Sequence, residues 1–316
     1  MRTPANRRRG RRPAPSNMRR WLGWAGCLAL ALLAAAPRAA SLGDSGPLPS
    51  AAASASRVKK TGGPAARGKK PPVTVNVVAL TDKLKSGDPA EVAAALAEAK
   101  AAGQGARPIA PAIEDLLRRG LKADLVGLAL QTLGEVGTET SVPAITPYSR
   151  HRNPDTRKKA LSALVKIGSS TAVATLRDAL SDPDPGVRAV AASGLGPLGG
   201  REAIPDLFAA LDRQVTESTS SIGQLCTPEE CERLSAKLST LGLDVMTSAF
   251  DSILFRPTSE IPDTGKIRIV ERVRDLRTPE ANKYLRDLQS RWPPGDSPRV
   301  RQAIEQAVVA TAGAKS

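Results

Sequence analysis

The chain has 316 residues, with 46 Lys and Arg against 31 Asp and Glu and a net charge of +15. Fifteen of those bases and one acid, Asp44, lie in residues 1–70, which leaves 31 bases and 30 acids for the rest. The basicity therefore belongs to the N-terminal segment, and residues 76–316 lack the broad positive footprint of a phosphate-binding domain.

At the N-terminus, Arg19-Arg20 precede an uncharged apolar run from Trp21 to Ala36. Sixteen residues is short for a membrane span of about 20, so residues 1–40 are expected to be an export signal or an N-terminal anchor. Met18 is an alternative start. Small residues before Pro37 and again at Ala39-Ala40-Ser41 leave the cleavage point open, and Cys27 precedes most of the apolar run, against a lipidated cysteine. Residues 41–75 are Ala, Ser, Gly, Pro and Lys/Arg, a composition expected to form a disordered linker. The location this predicts is the periplasm, the cell envelope or the exterior.

From there on the chain repeats at 31 residues. Ala129, Ala160 and Ala191 are in register, as are Leu133, Leu164 and Leu195; Gly137, Gly168 and Gly199; and Ile145, Leu176 and Leu207. Within one unit, Ala160, Leu161, Leu164 and Ile167 make one helical stripe and Val173, Leu176 and Leu180 a second. Glycine separates them where a helix end favours a left-handed residue. Asp88-Pro89, Asn153-Pro154 and Asp184-Pro185 supply a capping side chain followed by proline at a first helical position. The unit is two antiparallel helices, and the expected fold is an all-α solenoid whose units bury their apolar faces on one another. The repeats are clearest over 123–212. Beyond that the period breaks, with degenerate or capping repeats expected over 213–316 and helices near 228–241, 243–255, 265–275, 279–291 and 298–311.

Asp182-Pro183-Asp184-Pro185-Gly186-Val187-Arg188, followed by Ala191-Ala192 and Leu195-Gly196-Pro197-Leu198-Gly199, resembles the HEAT-repeat family of bacterial proteins. Asn153 to Gly168 is a second match and Ala123 to Val142 a third, without the arginine. The resemblance implies an α-solenoid and names no ligand; a repeat array of this kind is expected to bind a partner and not to catalyse. Arg157 and Arg188, with Asp155 and Asp184 nearby, are expected to form the structural ladder between repeats that such stacks commonly carry. HEAT-like metal hydroxylases rely on His-Glu dipeptides, and this chain has none.

Cys226 and Cys231 flank Thr227-Pro228-Glu229-Glu230, a capping box with proline at the first helical position. The two cysteines then occupy the positions that a hydrophobic staple brings together. In an oxidising compartment they are expected to form a disulfide; a reduced buried pair and a redox role are the alternatives. Two sulfurs with no histidine nearby do not complete a metal site. His151, the sole histidine, lies in a polar loop, so neither a metal centre nor a catalytic triad is expected, and no cofactor. Just off the second-helix stripe, Phe208, Arg177, Thr146 and Arg150 are expected to belong to a partner surface, Phe208 because an outward aromatic suggests one.

The expected function is a non-enzymatic, monomeric protein-binding scaffold of the bacterial envelope. It would touch membrane only through an uncleaved N-terminus or the basic linker. The alternatives are a HEAT-like enzyme of the DNA glycosylase or bilin lyase type, or an envelope structural protein holding glycan or anionic lipid through its linker.

Overall fold

The computed structural model describes residues 75–313, and the expected signal or anchor and the linker up to residue 74 lie outside them. The described residues form sixteen α-helices joined by short turns and 3-10 segments, with no strand among them. In chain order these are α1 (Val77–Lys85), α2 (Pro89–Ala102), α3 (Ala110–Arg119), α4 (Ala123–Val136), α5 (Val142–Ile145) and α6 (Pro154–Ile167). Next come α7 (Val173–Ala179), α8 (Pro185–Leu195), α9 (Ile204–Asp212), α10 (Ser218–Leu225), α11 (Pro228–Ser235) and α12 (Leu238–Leu241). The last four are α13 (Leu243–Leu254), α14 (Asp263–Asp275), α15 (Pro279–Arg291) and α16 (Pro298–Thr311).

Local chemistry sets these boundaries. Asp88, Asn153 and Asp184 each accept a backbone N–H from the first turn of α2, α6 and α8, ahead of proline. Gly168 ends α6 at φ 75°, ψ 20°, the left-handed conformation that a Cβ disfavours. Thr278 and Ser297 cap α15 and α16 in the same way. The cap-proline pair opens second helices as well as first ones, since Pro228 and Pro298 begin α11 and α16.

The helices pair into a solenoid. First helices α2, α4, α6, α8, α10, α13 and α15 pack in succession, each against the next. The second helices α3, α5, α7 and α9 pack against the first helix that follows them, and α11, α14 and α16 against α10, α13 and α15. One core runs without a break from Leu80 to Ala307, and the in-register leucines 133, 164 and 195 are fully buried in it.

The structure corrects two expectations about the degenerate half. The stretch from Thr216 to Gln224, polar in sequence, contains a full first helix, α10. Two of its inward polar groups find partners: the Ser221 hydroxyl donates to the carbonyl of Ala192 and accepts the Gly196 N–H at 2.9 Å, and Thr219 donates to the carbonyls of Thr216 and Val245. The helix expected over 228–241 is broken at Ala236-Lys237 into α11 and α12.

Candidate functional site

The 31-residue period sets up rows of polar contacts between repeats, and the arginines of the sequence analysis fall in them. Arg157 holds Asp182 with two parallel bonds, Nε to Oδ2 at 2.8 Å and Nη2 to Oδ1 at 2.6 Å. Its Nη1 donates to the carbonyls of His151 and Arg152. The pair is largely buried, and its hydrogen bond to Asp182 holds the guanidinium pKa above its ordinary value. The carboxylate partner is thus Asp182, which corrects the expectation of Asp155 and Asp184. Asp155 instead pairs with Lys158 at 2.7 Å, and Asp184 accepts the Val187 N–H as a helix cap. Both face their own first turn, where the free N–H groups lie. Arg188 repeats the backbone contacts of Arg157 but has no carboxylate partner among the described residues.

Of the four residues expected on a partner surface, Arg177 and Arg150 are exposed, Thr146 is half-buried and Phe208 is buried. Phe208 is 2% exposed, a correction to its outward placement. The irregular repeat that follows lays α11 over it, and the Arg233 guanidinium sits 4.1 Å from the ring centroid. Arg177 pairs with Asp206 at 2.7 Å, bridging α7 and α9, and Arg150, in the 3-10 segment after α5, pairs with Asp178 on α7 at 3.1 Å. Thr146 turns its hydroxyl back to the Val142 carbonyl. The four residues do not form one free patch. His151 accepts the Asn153 N–H through Nδ1, and no group of three or more metal-ligating side chains occurs among the described residues.

Cys226 and Cys231 are joined in a disulfide, with Cα atoms 5.3 Å apart and both residues buried. Between them the capping box is complete: Thr227 Oγ1 accepts the Glu230 N–H, and the Glu230 carboxylate accepts the Thr227 N–H. Arg256 binds the Cys226 carbonyl at 2.8 Å and fastens this corner to the turn after α13.

An open groove lies in the half of the chain where the 31-residue period has broken. It has a volume of about 770 Å³ and opens between α12, α13 and α15. Its apolar lining comes from Leu238, Leu243, Leu276 and the ring of Tyr284. Around these stand four carboxylates, Asp244, Asp251, Glu280 and Asp287, against two cations, Lys283 and Arg291. One wall is braced. Tyr284 donates to Asp251 at 2.9 Å, Arg291 holds Asp251 through both Nη atoms, and its Nε binds Asp287 at 2.7 Å. Burial, reinforced by Asp251, pushes the Tyr284 phenol far above its ordinary range, so it serves as a fixed hydrogen-bond donor and not as an acid. Asp244, Glu280 and Lys283 make no ion pair among the described residues and remain available. The sequence signal was slight: an irregular cluster of aromatic and acidic residues outside the 31-residue register.

The sequence profile of HEAT repeats matches residues 110–195 and 148–225. Residues 110–225 are HEAT repeats. These HEAT repeats run from α3 to α10, and the groove lies in the helix pairs that follow them. Among solved structures, the chain is similar to the complex of CpcE and CpcF of phycocyanin lyase from Nostoc sp. PCC7120. The identity is 16%, with 78% of this chain and 97% of that chain covered and a TM-score of 0.46. It is also similar to a designed armadillo repeat protein at 15% identity, covering 75% and 100%, with a TM-score of 0.37. Human deoxyhypusine hydroxylase is similar at 17% identity, covering 75% and 96%, with a TM-score of 0.31. No curated protein sequence matches the chain.

Proposed function

We propose that this HEAT-repeat protein is an exported, non-enzymatic scaffold of the cell envelope that holds a partner protein in the groove between α12, α13 and α15. The occupant is a polypeptide segment with apolar side chains and a Lys or Arg. The observation that carries this is the groove itself: an open apolar floor ringed by four carboxylates and two cations, one of them already spent on Asp251 and Asp287. Apolar contact supplies affinity there, and the surplus negative charge favours a cationic side chain. Export rests on Arg19-Arg20 and the Trp21–Ala36 run.

A photo-crosslinking residue at Thr247, in the groove, is expected to trap a protein in envelope extracts, whereas one at Ser193, exposed on α8, is not. Leu243→Glu is expected to abolish the Thr247 product while leaving the helical circular dichroism unchanged. Equal trapping at both positions, or trapping indifferent to Leu243→Glu, would refute the groove. A reporter fused after residue 75 is expected to leave the cytosol; its retention there would refute the envelope location.

A further inference from the structure

The ladder between repeats is complete at one step and open at the next. Arg157, on α6, anchors its Nη1 on the carbonyls of residues 151 and 152 and offers Nε and Nη2 to the carboxylate of Asp182, just past α7. Thirty-one residues on, Arg188 anchors its Nη1 on the carbonyls of Asp182 and Pro183, at 2.8 and 3.0 Å. These are the same two contacts advanced by one repeat, so the planar guanidinium fork is held in the same attitude.

The backbone that should bring the carboxylate is also reproduced. The N–H of Asp182 bonds to the carbonyl of Ala179 at 3.1 Å, and the N–H of residue 213 bonds to the carbonyl of Ala210 at 3.0 Å. Residue 213, however, is arginine. Its side chain is exposed and folds back so that Nη2 reaches the carbonyl of Leu180 at 3.4 Å. The loop then departs from the repeat at Gln214, whose φ is +67°.

The site is therefore a fork shaped for a carboxylate, and the chain position that supplied the carboxylate one repeat earlier is occupied by an arginine. The acids around it are committed elsewhere: Asp182 to Arg157, Asp184 to the Val187 N–H, and Asp212 to Lys237 at 2.7 Å. Glu217, in the loop before α10, makes no ion pair with either arginine among the described residues.

We propose that Arg188 and Arg213 form a receptor for a carboxylate brought by another molecule, namely an Asp or Glu side chain of a bound protein. The ion takes the place that Asp182 takes one repeat earlier, held by the two parallel bonds of the Arg188 fork and neutralising Arg213. This site lies apart from the groove and stands or falls separately from it.

The test uses the full chain with ¹⁵N-labelled arginine, following the Nε–H resonances assigned through Arg157→Lys and Arg188→Lys. Acetate, added against chloride at equal ionic strength, is expected to shift the Arg188 resonance saturably toward the position of Arg157 and to leave Arg157 unmoved. Arg213→Asp should close the ladder from within: the Arg188 resonance then starts at the Arg157 position, its response to acetate falls at least about tenfold, and the melting temperature rises. An Arg188 resonance already at the Arg157 position in the unmodified protein would overturn the proposal. So would indifference to acetate, a response to inorganic phosphate without one to acetate, or an unchanged acetate response in Arg213→Asp.

Discussion

Lys266 is a lysine placed in the core. Its side chain is fully buried, with Nζ bonded to the Arg256 carbonyl and 5.8 Å from the Trp292 ring centroid. Burial pushes its pKa down, and Asp296 and Asp263 oppose that only in part. The folded state therefore binds the lysine proton less tightly than the unfolded chain, whose lysine titrates near its ordinary value of about 10.4. Stability should rise as pH climbs toward that value, because the charge disfavoured by burial is being removed. Lys266→Met is expected to flatten this rise, so that its advantage over the unmodified protein is largest at neutral pH and shrinks in alkali. Urea midpoints of both proteins at several pH values check this, and parallel curves would exclude Lys266 as the cause. Residue roles of this kind were poorly legible beforehand. Phe208 was misplaced for a related reason: a register of 31 specifies what a residue meets within its own repeat, but not what an irregular neighbour lays over it.

At the scale of elements, the contact between α10 and α13 is set by one glycine. A Cβ on Gly223 would come within 2.7 Å of the Ala249 carbonyl oxygen and 2.8 Å of its Cα, both backbone atoms that cannot swing aside. Gly223→Ala should force the two helices apart at a cost of about 1–3 kcal/mol, the usual range for overpacking. Hydrogen exchange should show protection lost in α10 and α13 and kept in α4 and α6; uniform loss would mean that this contact does not act locally. The helix itself escaped detection because its buried positions are Ser218, Thr219, Ser221, Ile222 and Gly223, which carry no apolar period. The capped helices before and after it were legible, since a capping side chain and a proline act within a few residues of sequence. So was the turn at Cys226–Cys231, where the capping box dictates which side chains converge.

Across the whole molecule, neighbour-on-neighbour stacking makes damage local. Leu164→Ala and Leu195→Ala each empty a fully buried position, at an expected cost of about 2–5 kcal/mol. Because a solenoid unit mainly feels its neighbours, the loss should appear in α6 to α9 before α15 and α16. Chemical denaturation combined with hydrogen exchange checks this, and a single uniform transition would show stronger coupling along the stack. The sequence by itself determined the all-α solenoid, the 31-residue unit, the caps and the buried leucines, because each follows from spacing or from contacts within one unit. Only the tertiary structure decided the pairing of helices after residue 212, the choice of Asp182 as the partner of Arg157, the open fork at Arg188 and the groove over Tyr284. These depend on the angle at which one repeat meets the next, which is set by many weak contacts between residues far apart in the chain.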